Sequence, residues 1–158
     1  MIDSLHPSVL LMLGLLPLVW LHGRLRQIWQ IALPALVLVV ITTLDAGTRI
    51  NLEFMGVELT PLRIDKLSLV FAYVIGLILI IGNIFALQVE DRAQHIAAGL
   101  YGASALGVVL AGDLVTLYVF WEIMMIASVW LIWRRKTPTA YAAGMRYLLV
   151  HALGGMLL

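Results

Sequence analysis

Apolar residues run along this chain in long blocks, with short polar stretches between them, rather than alternating at every second or third position. Crossing ~30 Å of hydrocarbon takes about 20 mostly apolar residues at about 1.5 Å each. On that measure the pattern predicts six helices. They are 8–21, short and with Pro17 near its end; 28–44, with Pro34 inside; 67–87, the cleanest; 93–112; 114–133; and 138–158. Pro34 predicts a kink rather than a break, because neighbouring groups can satisfy the carbonyl that a proline frees. Thr137–Pro138 is a strong helix start, a hydroxyl at the cap and proline at the first helical position. Only Gly112–Asp113 remain to turn the chain between the fourth and fifth helices, which are therefore expected to be antiparallel neighbours. Asp113 is expected to cap the fifth, where the helix dipole favours an anion.

The longest connection, 45–66, has a different rhythm. Ile50, Leu52 and Phe54 alternate with polar residues, Met55–Gly56 can turn, and Val57 and Leu59 follow. That pattern predicts a small β-hairpin lying on the membrane surface. The expected architecture is an all-α integral membrane chain, one transmembrane domain over 1–158, with a hairpin in its second loop. No repeat with a period of roughly 20–50 residues is visible.

Composition strengthens this reading. The chain is 63% hydrophobic and 12% charged, against about half and a quarter in soluble domains, so the surplus apolar surface must face lipid. A net charge of +1 gives no basis for nucleic-acid binding. Cysteine is absent, which excludes disulfides, thiolate metal sites and iron–sulfur ligation. Met1–His6 carries no Lys or Arg, so the first segment reads as a mature helix rather than a cleaved signal. Arg24 and Arg26 fall in the first loop, Arg92 in the third, and Arg134, Arg135 and Lys136 in the fifth, while the fourth has none. In the second loop Arg49, Arg63 and Lys66 are accompanied by Asp45, Glu53, Glu58 and Asp65. Positive residues stay on the cytoplasmic side, so the odd loops are expected inside and the N-terminus outside, in a bacterial inner membrane.

Against this background Glu122 stands out. It lies near the middle of 114–133, an otherwise almost wholly apolar stretch. A carboxylate at the bilayer centre costs roughly 2.5–3.5 kcal/mol on insertion scales, which leucine or methionine would avoid. Low dielectric favours the neutral form of a carboxyl group, so a residue so placed can load and release a proton. The alternative is a permanently protonated carboxyl making a helix-to-helix hydrogen bond. Tyr118, one turn earlier, can donate to that carboxylate or line a wet path, or be satisfied elsewhere in the core. His151, deep in the sixth helix, is a candidate relay or a structural hydrogen-bonder. It can meet Glu122 only if the fifth and sixth helices pack together. Arg146 lies about 140° around that helix from His151 and is expected to snorkel to the interface. Trp130 and Trp133 suit an interfacial anchor, and Asn83 suits polar glue between helices. Gly99, Ala103, Gly107 and Ala111 form a small-residue stripe that lets another backbone come close. His6, His22 and His95 have no metal-ligand spacing, and no Gly-rich phosphate loop or nucleophile–base pair is present. Neither a cofactor nor covalent catalysis by this chain is expected.

The run Gly112-Asp-Leu-Val-Thr-Leu-Tyr-Val-Phe-Trp-Glu-Ile-Met-Met-Ile-Ala-Ser resembles the fifth helix of the antiporter-like subunits of respiratory complex I, membrane-bound hydrogenases and Mrp-type Na+/H+ antiporters. Phe120–Trp121–Glu122 is the specific part. Arg63-Ile-Asp-Lys-Leu-Ser-Leu is similar to the entry to that family's third helix, and Arg146-Tyr-Leu-Leu-Val-His-Ala-Leu-Gly-Gly to its sixth, most like the D-type branch of the Mrp antiporters. The resemblance covers 62–158. It implies the N-terminal part of an antiporter-like subunit, with Glu122 in the place of the family's fifth-helix glutamate. In the family that glutamate pairs with a lysine on the seventh helix. That helix and the second repeat lie beyond this sequence, so the chain is expected to be a fragment, a split gene product or a reduced subunit. Its implied partners are other membrane subunits, including one that supplies the missing helices, together with protons and Na+. Two rival roles stay open: a non-conducting scaffold that docks a partner, and a component of a redox-linked proton pump whose centres lie on other chains.

Overall fold

The computed structural model describes residues 6–54 and 56–157. Six α-helices form in chain order: α1 Pro7–Gly14, α2 Gly23–Thr42, α3 Lys66–Phe85, α4 Arg92–Leu110, α5 Leu114–Trp133 and α6 Pro138–Met156. Between α2 and α3 the strands β1 Arg49–Phe54 and β2 Val57–Arg63 pair antiparallel. The expected all-α membrane architecture with a small hairpin is thus present. Residues of α2, α3, α4 and α5 make spans long and apolar enough to cross a bilayer, and the span from Lys66 to Gln88 has the highest mean hydropathy, 2.5.

Helix starts follow the capping chemistry. Asp65 accepts from the Ser68 N–H at 2.7 Å while the Ser68 hydroxyl accepts from the Asp65 N–H at 2.9 Å, a reciprocal box that begins α3. Asp91 accepts from the Ala93 N–H at the start of α4. Thr137 accepts from the Ala140 N–H, with Pro138 in the first position of α6. The first segment departs from expectation. Its α-helix stops at Gly14 and tightens into a 3-10 turn, Leu16–Val19. Pro17 has no N–H to continue the ladder, and its ring crowds the carbonyl four residues back. Helix α2 begins at Gly23 rather than at 28, because its polar first turns are held by carbonyls of the α3–α4 loop. Arg26 donates to Glu90 O at 2.9 Å and Val89 O at 3.4 Å, and Gln27 to Leu87 O at 3.4 Å.

The core lies among the first four helices. Leu11, Leu15 and Leu18 meet Leu33, Val37 and Ile41 of α2, Ala72 of α3, and Ala103, Leu106 and Leu110 of α4, with Leu62 and Ile64 closing it below the hairpin. Helix α4 is central, packing against α1, α3 and α5. Its glycines make this close approach possible: a β-carbon at Gly99 would run into Leu15, one at Gly102 into Leu79, and one at Gly107 into the Phe120 ring. The small-residue stripe on this helix is therefore a packing device. Helix α3 turns Val70, Phe71, Val74, Leu77, Ile78 and Ile81 outward, a lipid-facing surface in a membrane chain.

At the hairpin end, Phe54 faces Val57, Glu53 faces Glu58 and Leu52 faces Leu59, but Ile50 faces Leu62. The register slips by one, so Thr60 and Pro61 together oppose Asn51. A bulge suits proline, which cannot donate to a ladder. The freed backbone turns toward the helices. Thr60 N–H donates to Asp113 Oδ2 at 2.7 Å, and Gly112 N–H donates to Thr60 O at 2.9 Å. His6 Nε2 donates to Pro61 O at 3.0 Å, while its Nδ1 accepts from the Ser8 N–H. One bulge therefore ties together the hairpin, the α4–α5 turn and the start of α1.

Candidate functional site

Helices α5 and α6 pack antiparallel, with small residues at the seam. Ala140, Gly144 and Gly155 are the buried residues of α6. Gly144 lies against the Trp133 indole. At Gly155 a β-carbon would come within 2.9 Å of Glu122 Oε1 and 3.0 Å of Tyr118 Cε2. Gly155 therefore brings the α6 backbone up to the carboxylate. The sequence contains this signal in Gly154–Gly155, but only the helix pairing shows which glycine matters.

The structure places Glu122, Tyr118 and His151 along this seam. Glu122 is half-buried, and its Oε1 is covered and has no hydrogen-bond partner among the described residues. Tyr118, one turn earlier, is 38% exposed and makes no hydrogen bond to the carboxylate among the described residues. With Leu114, Val115 and Gly155 it lines an open groove. His151 is drawn in toward α5, its ring 4.8 Å from Trp121 and 5.5 Å from Tyr147. Its Nε2 is buried and unpartnered, like the indole nitrogens of Trp121 and Trp133. A carboxylate oxygen, an imidazole nitrogen and two indole N–H groups thus follow one helix pair without partners among the described residues. Among the described residues, the other unpartnered buried side-chain atoms belong to Arg26 and Gln30. Arg146 is exposed on α6, separated from His151 around the helix.

Glu122 points toward α6, outside the α1–α4 core. One detail differs from the sequence-based expectation. Asn83 does not bridge helices through its amide nitrogen, which donates to Leu79 O of its own helix at 2.8 Å. Trp121 belongs to the specific tripeptide of the sequence, but its tilted ring contact with His151 is a tertiary fact.

The start of α5 fixes the height of the site. Asp113 accepts from the Thr116 N–H and hydroxyl, both at 2.8 Å, besides the Thr60 N–H. Desolvation pushes its carboxyl group up, but these hydrogen bonds, with one from the Val115 N–H, outweigh it and hold the group below the usual aspartate range. At the other end of α5, Arg134 binds Asp91, Nε to Oδ2 at 2.6 Å. The guanidinium hydrogen bond holds Asp91 below its usual range. Among the described residues no cluster of three or more His, Asp or Glu could hold a metal ion.

Residues 111–158 match the family NADH:quinone oxidoreductase/Mrp antiporter, TM. The chain is 33% identical over 109 residues to the A-type Na(+)/H(+) antiporter subunit of Alkalihalophilus pseudofirmus, covering 64% of this chain and 13% of the relative. It is 31% identical over 124 residues to the A1-type Na(+)/H(+) antiporter subunit of Staphylococcus haemolyticus, covering 74% of this chain and 15% of the relative. Both relatives are of the A type, whereas the sixth-helix resemblance points to the D branch. Among solved structures, a chain of the membrane-bound sulfane sulfur reductase, an archaeal respiratory membrane complex, superposes with a TM-score of 0.83 at 24% identity, over 98% of this chain and 26% of that one. This last likeness establishes the fold. The chain spans about a seventh of the curated relatives and about a quarter of the solved one. By the family match over residues 111–158 and the sequence likeness, the chain is similar to antiporter-like membrane subunits of the Mrp and complex I-like kind, and its partial coverage fits the N-terminal part of such a subunit.

Proposed function

We propose that this chain contributes Glu122 as a proton-carrying carboxylate to a multisubunit membrane complex that moves protons, or exchanges them for Na+. The observation that carries this reading is the covered Oε1 of Glu122, without a partner among the described residues, on a seam where His151 Nε2 and the indole nitrogens of Trp121 and Trp133 also lack one. An acid group in hydrocarbon without an internal partner needs water or a partner chain, and either can pass it a proton. Trp121 and Tyr147 hold the His151 ring on the same seam, where it can accept or relay a proton. Tyr118 lines the groove beside the carboxylate. Support also comes from the relatives, which are named as Na(+)/H(+) antiporter subunits.

The complementary group, a cation able to answer Glu122, is assigned to another membrane subunit or segment. By the positive-inside bias, the end that carries the basic α3–α4 and α5–α6 connections faces the bacterial cytoplasm, and the hairpin lies outside with the N-terminus. In a redox-driven version the cofactors would sit on partner subunits. The test is Glu122→Gln in the assembled complex. Ion-coupled transport should fall by on the order of a hundredfold or more, as loss of a proton-transfer group does, with assembly unchanged. Normal transport by this variant would remove the proposal.

The scaffold reading has its own supporting observation. Helix α6 packs on α5 and presents Met145, Leu149, Val150, Leu153 and Met156 outward, a face on which a partner helix can dock. If Glu122→Gln transports normally but loses a co-purifying subunit, the docking role stands instead.

A further inference from the structure

Gln30 has no part in the proposed ion path, yet it is the most thoroughly buried amide among the described residues. It is 2% exposed, and neither its amide nitrogen nor its amide oxygen has a hydrogen-bond partner among those residues. Burying an amide unpaired is costly, and natural proteins almost always provide a partner. The same turn carries a second unsatisfied demand. Pro34 has no N–H, so the helical bond from position 34 to the Gln30 carbonyl cannot form. Helix α2 therefore concentrates a backbone carbonyl lacking its helical donor and an orphaned side-chain amide at one residue.

The residues concerned line a common space. Gln30 and Pro34 line a small enclosed cavity between the first four helices, together with Asn83 of α3 and His95 of α4. The volume open to the centre of a water molecule is about 10 Å³, which is about one water. The neighbours supply complementary chemistry. Asn83 spends an N–H on Leu79 O, leaving its carbonyl oxygen as an acceptor. His95 donates from Nε2 to Val89 O at 2.7 Å, leaving Nδ1. Among the described residues no carboxylate lines the cavity, so a cation there would be uncompensated. An apolar occupant would leave the amide as it is.

We propose that this cavity is a binding site for a single water molecule. The water accepts from the Gln30 amide and donates to acceptors of Asn83, His95 or Gln30 itself. It replaces the hydrogen bond that Pro34 deletes and ties the Pro34 turn of α2 to α3 and α4. The site is separate from the Glu122 seam and does not depend on the proposed transport.

The test is brief X-ray radiolysis of the assembled complex in oxygen-labelled water, with mass spectrometry of the lining side chains. A bound water should label Leu33, Pro34 or Leu79, and Gln30→Met, which conserves volume, should lose that label while thermal unfolding is retained. Absence of label in the unaltered protein, or equal label in both, would overturn the proposal. So would loss of the label on adding Na+ but not choline, which would identify a cation as the occupant. Should Gln30→Met fail to assemble, a density map of the unaltered complex decides. A peak within hydrogen-bond distance of the Gln30 amide sustains the site, and continuous apolar packing against it overturns it.

Discussion

Glycine 155 and glutamate 122 form one unit at the scale of single residues. Because a β-carbon at Gly155 would sit 2.9 Å from Glu122 Oε1, Gly155→Ala must displace the carboxylate by a few tenths of an ångström or more. On the role proposed for Glu122, displacing the group costs rate steeply, so ion-coupled transport should fall by about tenfold while the complex still assembles. Transport assays on reconstituted vesicles check this, and unchanged transport would mean that the position of the carboxylate is not critical. His6 gives a second prediction. Burial pushes its imidazole below the usual range, against the Pro61 hydrogen bond, which raises it. The Nε2 proton is committed to Pro61 O, and Nδ1 accepts from Ser8, so a second proton has no favourable place. A depressed histidine contributes stability that is full above its unfolded pKa of about 6.5 and declines as pH falls below it. The unfolding midpoint should therefore sag between neutrality and mild acid, and His6→Gln should lessen that sag.

Elements are joined here by their ends. The bulge at Thr60–Pro61 receives the α4–α5 turn through Gly112 and Asp113, so Asp113 serves as a helix cap and a hairpin anchor together. Asp113→Ala should cost about 0.5–2 kcal/mol for the cap, with a further contribution from the unpaired Thr60 N–H. Thermal or denaturant unfolding in detergent measures it. Asp65, Asp91 and Asp113 are all held below the ordinary aspartate range: Asp65 chiefly by the Ser68 N–H, Asp91 chiefly by Arg134, and Asp113 by hydrogen bonds that outweigh desolvation. Their contribution is complete above an unfolded pKa of about 3.9 and is lost as pH falls toward the lowered folded values. A second loss of stability is thus expected below about pH 4, distinct from that of His6, and Asp113→Asn should reduce it. The Arg134–Asp91 pair, with each side chain 30% exposed, should contribute at most about 1 kcal/mol and weaken with salt.

Over the whole molecule the packing is uneven. Helices α1 to α4 share one core, while α6 is held chiefly by α5. Amide hydrogen exchange should find α6 the least protected of the helices when the chain is isolated, and protected once the complex is assembled. Equal protection in both states would count against a partner on its outer face.

Much of this is legible in the chain itself. Hydrophobic block length determined that there are helices, roughly where they lie and that lipid must cover them, because backbone groups in hydrocarbon have to bond within their own segment. The Leu114–Trp133 helix, the hairpin and the caps at Asp113 and Thr137 follow from local chemistry, and the structure has them where the sequence places them. Glu122 is conspicuous because charge in an apolar run is costly wherever the helix points. What faces it is not legible. Which side of α5 meets α6, that Gly155 rather than Gly154 is buried there, that Trp121 stacks on His151, and that the bulge at Pro61 grips the α4–α5 turn all depend on helix rotation and register. Periodicity is a poor guide to rotation when nearly every position is apolar. Gln30 shows this best: in the chain it is one polar residue near a helix end, and only the convergence of α1, α3 and α4 around it makes it a buried, unsatisfied amide.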